Sequence, residues 1–210
     1  MTNAQIDYPQ AVDPLQAEAK RMDNLKFGMW LYLASEVVIF TILIATYVLY
    51  RINFPEQVLE ARETLNINLV GINTFLLLAS SWAMVRGLLS IQRGNRQGLI
   101  RWFVVMIVLG VVFVALQAVE YTELAREGVT LFQYETDNEA LYEFGMRFYA
   151  LTAFHGFHVI VGVLWGILVA RHAARGGYSP RDYIGVEIFG LYWHFVDVVW
   201  IFLFTLIYLI

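Results

Sequence analysis

LIRWFVVMIVLGVVFVALQAVEY, residues 99–121, decides the fold. A helix that crosses the roughly 30 Å hydrocarbon core of a bilayer needs about 20 mostly apolar residues, and this run has that length with its charges, Arg101 and Glu120, confined to its ends. Four more runs of the same character lie at 27–50, 67–91, 148–170 and 184–210. Apolar residues make up 59% of the chain and charged ones 15%, with 15 Phe, 12 Tyr and 6 Trp. That balance excludes an ordinary soluble domain. The expected fold is an all-α integral membrane protein, a bundle of five transmembrane helices.

Outward from these runs, residues 1–26 read as a polar tail with Asp7, Asp13, Glu18, Asp23, Pro9 and Pro14, and carry no apolar core of a secretory signal. Residues 27–210 then form one five-helix domain. With no Cys, disulfides, thiolate metal sites and haem attachment through paired cysteines are excluded. Ten of the fourteen Lys and Arg fall on one side: Lys20, Arg21, Lys26, Arg86, Arg93, Arg96, Arg101, Arg171, Arg175 and Arg181. Short loops rich in these residues stay in the cytoplasm, so the N-terminus is expected inside and the C-terminus outside. Arg51, Arg62, Arg126 and Arg147 keep to the other side, with the acids Glu123, Glu127, Glu135, Asp137, Glu139 and Glu143. Arg93-Gly94-Asn95 separates the second and third spans. In Gly176-Gly177-Tyr178-Ser179-Pro180, Gly ends the fourth helix, and Ser179 and Pro180 are expected to cap and start the fifth.

An ionisable side chain in lipid costs several kcal/mol and persists where it faces protein, water or a headgroup. Glu36 lies roughly 13 Å into the first span at 1.5 Å per residue, near mid-membrane; one reading is simply a carboxyl that hydrogen-bonds a neighbouring helix. His155 and His158 stand about 60° apart on the fourth span. Two imidazoles so placed can bind metal or haem, or donate to a backbone carbonyl or to an acid on the next helix. Glu187, His194 and Asp197 share about an 80° sector of the fifth, either a proton wire or a satisfied polar seam facing the two histidines. Gln117, Glu120, Asn73, Thr74, Ser80 and Ser81 read as interhelical hydrogen-bonding positions. Gly71, Ala79, Gly110, Gly156, Gly162 and Gly166 read as close-packing positions. Tyr192, Trp193, Phe195, Trp200, Phe202 and Phe204 are expected to face lipid or a partner subunit.

The motifs carry the reading further. Leu191-Tyr192-Trp193-His194-Phe195-Val196-Asp197-Val198-Val199-Trp200-Ile201-Phe202-Leu203 resembles the C-terminal signature of subunit III of the haem-copper cytochrome c oxidases. Four segments agree in order: Gly28-Met29-Trp30-Leu31 with Ser35-Glu36-Val37; Asn73-Thr74 through Leu78-Ala79-Ser80; Leu116-Gln117-Ala118-Val119-Glu120-Tyr121; and Phe154-His155-Gly156-Phe157-His158-Val159-Ile160-Val161-Gly162. Many members of that family have seven helices; this chain resembles the last five, as in the shorter bacterial form. In the longer form a cleft beside the extra helices holds phospholipid, so here the cleft is lost or a helical neighbour completes it.

The resemblance implies a subunit with no haem or copper of its own, those groups lying in partner subunits I and II. It implies direct packing on subunit I, contact with cytochrome c or quinol only through the complex, no nucleic-acid partner, and a multi-pass place in the bacterial plasma (inner) membrane. The family's role is to sustain proton uptake into the catalytic subunit, to slow its inactivation, and to bind structural phospholipid. Glu36 matches the family's carbodiimide-reactive intramembrane carboxylate near lipid. His155, His158, Glu187, His194, Asp197, Gln117 and Glu120 carry over as a structural polar core, and Arg171 with His172 as lipid headgroup contacts. Beside this stand a quinol oxidase subunit III, an accessory protein of nitric oxide reductase, and, from another class, a free-standing transporter or di-haem cytochrome built on His155 and His158.

Overall fold

The computed structural model describes residues 14–132 and 138–210, leaving aside the side chains of 14, 15 and 17–19. Asp7, Asp13, Pro9, Glu135 and Asp137, and the side chains of Pro14 and Glu18, therefore lie outside the described residues. Six α-helices follow in order: α1 Pro14–Asn53, α2 Pro55–Arg62, α3 Ile67–Gln92, α4 Arg96–Arg126, α5 Glu139–Ala174 and α6 Ile184–Phe204, with a π-turn at Thr205–Leu209. No strand occurs among the described residues. Five of the helices are long and apolar enough to cross a membrane.

α1, α4 and α5 outrun their apolar runs at both ends. α1 begins at Pro14 because residues 15–26 are mostly good helix formers with no breaker. It ends where Pro55, at the first position of α2, removes a backbone donor and forces a break at Phe54. The short α2 was not evident from hydropathy, since it lies outside the lipid-crossing segments. Asn66, Asn95 and Asn138 cap α3, α4 and α5 by accepting from backbone N–H groups of the first turn. α3, α4 and α5 close alike: Gly94, Gly128 and Gly176 take φ of 77°, 88° and 85°, and paired backbone bonds return into the last turn.

Ser179 does not cap α6. Its Oγ accepts from the N–H groups of Arg181 and Asp182, closing a turn, and α6 starts later, at Ile184. The α4–α5 connection is likewise shorter than the sequence gap, because α4 runs on to Arg126 and α5 starts at Glu139.

α3, α4, α5 and α6 form a ring in which α3 also meets α6, while α1 lies outside it against α5 and α6, and α2 packs on α5. Along its most apolar stretch the α1 span is 22% buried and the last span 50%. α1 is thus the helix most open to its surroundings. Its buried stripe, Leu33, Glu36, Phe40, Tyr47 and Tyr50, repeats at helical spacing; Trp30, Leu31, Val38, Ile42 and Leu49 stay exposed on the other faces.

The aromatics of α6 depart most from expectation. Trp193 and Trp200 are fully buried and Tyr192 nearly so; of the set, Phe202 is the side chain most clearly turned outward. Small residues make room for them. A Cβ on Gly162 would lie 2.5 Å from the Trp193 ring, and one on Gly110 3.1 Å from it.

Candidate functional site

Glu36 lies on the buried stripe of α1, and its carboxylate Oε2 is 3.2 Å from Nε2 of His158 on α5. The other ring nitrogen, Nδ1, is 2.8 Å from the Phe154 carbonyl. A carbonyl only accepts, so Nδ1 carries a proton and donates it. Nε2 faces the Glu36 carboxyl, and the pair is enclosed by Phe40, Phe154 and Tyr192 rings 4.8 to 6.5 Å from the imidazole. Tyr192 adds a lock from α6 by donating to the His158 carbonyl at 2.8 Å.

His155, one turn before, does not share in this pair. It is fully buried, stacked on Trp200 at 4.9 Å and edge-on to Phe113 at 6.1 Å. Trp200 in turn donates to Thr74 of α3 at 2.9 Å, and Asn73 donates to the Phe113 carbonyl of α4 at 3.2 Å. Further out, Gln117 donates to the Tyr121 hydroxyl at 3.2 Å, which donates to Thr152 at 3.0 Å, and Tyr208 donates to Glu120 at 2.8 Å. These bonds tie α4 to α5 and to the end of α6.

The polar stripe of α6 finds its partners on α1 and α3, not on the α5 histidines. Glu187 pairs with Lys26 at 2.6 Å, and His194 Nδ1 is 3.1 Å from the Ser81 hydroxyl, which also interacts with Asp197. Ser80 accepts from Trp193 at 3.0 Å. Among the described residues no three of His, Asp and Glu gather where a metal could be held.

At the end bearing the α5–α6 connection, Arg171 is exposed, while the His172 ring packs edge-on against Tyr178 at 4.8 Å. Burial pushes the Tyr178 phenol up from its ordinary value, with the nearby Asp182 adding to the effect. At the opposite end the arginines that oppose the charge bias have local work. Arg51 donates to the Leu206 carbonyl and Arg62 to those of Tyr208 and Ile210, satisfying acceptors left free where α6 runs out. Arg147 pairs with Glu143 and stacks on Tyr50 at 4.2 Å.

The groups that sequence reasoning missed are the indole and phenol donors: Trp193, Trp200, Tyr192, Tyr121 and Tyr208. Their signal was present, because Phe189, Trp193, Val196, Trp200 and Leu203 recur at three and four residues, the period of one buried face.

A ring of membrane-length helices closed by buried polar bonds, with its outer faces apolar, defines a multi-pass membrane protein. The family model for cytochrome c oxidase subunit III matches residues 16–210. Relatives include the cytochrome c oxidase subunit 3 of Synechocystis sp., 38% identical over 90% of this chain and 76% of that protein. The quinol oxidase subunit 3 of Bacillus subtilis is 34% identical over 99% of this chain and 93% of its own. The cytochrome c oxidase subunit 3 of Corynebacterium diphtheriae is 32% identical over the full length of both. This chain belongs to the cytochrome c oxidase subunit III family.

Proposed function

We propose that the chain serves as the non-redox subunit III of a proton-pumping haem-copper terminal oxidase in aerobic respiration. It spans the bacterial plasma membrane with its N-terminus in the cytoplasm and its C-terminus outside, following the bias of Lys and Arg. Haem and copper belong to subunits I and II, and electrons from cytochrome c bypass this chain. Its work is to pack on subunit I, stabilise it, sustain its proton uptake and hold structural phospholipid.

The observation that carries this reading is the family match across residues 16–210, which takes in every membrane-length helix. Two structural features support it. Asn73, Thr74, Ser80, Ser81, His194 and Glu120 are engaged by other helices or the terminal turn of this same chain, which suits a scaffold, although both ring nitrogens of His155 have no hydrogen-bond partner among the described residues, and α1 leaves a broad apolar face for a neighbour. Glu36, beside His158 near mid-membrane, is the carbodiimide-reactive carboxyl. A quinol oxidase is the second reading, supported by relatives of that name with 34% identity.

The experiment is affinity purification of the tagged chain from native membranes in mild detergent, with a visible spectrum and subunit identification. A haem-bearing large subunit and a copper-binding subunit should copurify, the copper pointing to cytochrome c as donor. A haem-bearing partner without a copper-binding subunit would favour quinol. A colourless chain that comes out alone would sink the oxidase reading.

A further inference from the structure

From residue 64 to residue 119 the sequence holds no Asp or Glu, yet it holds Arg86, Arg93, Arg96 and Arg101. The hairpin of α3 and α4 folds three of these, Arg86, Arg93 and Arg101, around one cavity of about 470 Å³, completed by Ser90, Asn95, Gly98, Trp102 and Val105. No carboxylate lines it among the described residues, and these three arginines make no ion pair there. Charge at a helix end is ordinary where arginines reach for water. A half-open pocket lined only by cationic and neutral groups is a different thing, because nothing among the described residues neutralises it.

Two further features fix the chemistry. Trp82 and Trp102 meet edge to face at 5.1 Å, and the Arg86 guanidinium lies 5.8 and 5.6 Å from their ring centres. That double cation–π contact holds Arg86 in place, and paired indoles mark the headgroup level of a membrane. Toward mid-membrane the surface turns wholly apolar, with Phe75 and Leu78 exposed below Trp82 on α3, and Val108 and Val112 exposed below Val105 on α4. Gly98 lets the hairpin close, since a Cβ there would meet the Ser90 side chain at 2.9 Å.

We infer that this cavity binds the phosphate headgroup of an anionic phospholipid, with an acyl chain lying along the exposed apolar surface of α3 and α4. Basic pockets between helices at a membrane surface take such headgroups, and each Lys or Arg contributes about 1 kcal/mol near an anionic surface. A free phosphate shares the headgroup chemistry and not the apolar surface below. This site is separate from Arg171 and His172. It rests on the membrane-spanning fold and not on which oxidase the chain serves.

The test uses the chain with whatever partners it carries from native membranes, placed in nanodiscs of phosphatidylcholine and titrated with phosphatidylglycerol bearing a diazirine in its acyl chain. Crosslinks are mapped by mass spectrometry. Phosphatidylglycerol should label residues 75–112 more than phosphatidylcholine with the same diazirine chain. The Arg86→Gln/Arg101→Gln pair should weaken half-saturation about thirtyfold, equivalent to about 2 kcal/mol. Arg86→Lys/Arg101→Lys, which keeps the charge, should lose only a few-fold, Arg175→Gln nothing, and inorganic phosphate should not compete. Equal labelling by the two lipids, an unchanged glutamine pair, or competition by inorganic phosphate would overturn the proposal. Haem absorbance of the same preparation reports the oxidase partnership independently, so either idea can fail without the other.

Discussion

Gly162→Ala puts a methyl group where Trp193 already is. The added Cβ would lie 2.5 Å from Cζ3 and 2.7 Å from Cε3 of a ring with no exposed surface. Carbon atoms rest at about 3.5 to 4.0 Å, so the ring or α5 must move by about 1 Å. The ring has little freedom, since its Nε1 donates to Ser80 at 3.0 Å and Gly110 lies against its far edge. Overpacking of this kind costs about 1 to 3 kcal/mol. The opposing gain in helix propensity, about 1 kcal/mol in water, is small where the separated helix is already helical in lipid. A net loss of about 1 to 2 kcal/mol is expected. Unfolding of the purified protein in mixed detergent, followed by tryptophan fluorescence, measures it. Trp193→Phe should make room for the methyl, so the double variant should be more stable than additivity predicts by at least about 1 kcal/mol. Strict additivity, or a Gly162→Ala protein as stable as the parent, would refute the close-packing account.

Glu36→Gln should keep assembly, because an amide still hydrogen-bonds at His158, and should abolish carbodiimide labelling; labelling that persists would place the reactive group elsewhere. His194→Leu and Asp197→Leu should each weaken association with partner subunits by stranding a polar group beside Ser81, by about 0.6 to 2 kcal/mol, and normal copurification of both would count against that contact as a stabiliser. Arg62→Ala should speed hydrogen exchange in residues 205–210, where it caps the Tyr208 and Ile210 carbonyls, while leaving 184–200 unchanged; equal protection in both proteins would show the cap is idle.

The reach of the sequence followed from what lipid does to each kind of side chain. Hydropathy found every span because an apolar run of membrane length has few other uses. It missed α2 and the ends of α1, α4 and α5, which continue into water where only caps and propensity mark a boundary. Polarity singled out Glu36, His158, His194 and Asp197 as interior, since each would be costly in hydrocarbon. It did not say who pairs with whom. That depends on helix rotation and crossing, and α1 reached His158 while α3 reached His194, leaving no direct bond between the two stripes that sequence angle alone had set face to face. Tryptophan and tyrosine misled because one ring suits a lipid interface and a packed core alike. The deciding detail was the small partner opposite: Gly110 and Gly162 had been read as packing positions without a ring to receive, and Trp193 as an exposed ring without a seat. Joined, they make one contact, and it is this pairing of a large residue with facing glycines that fixes α6 within the ring of helices.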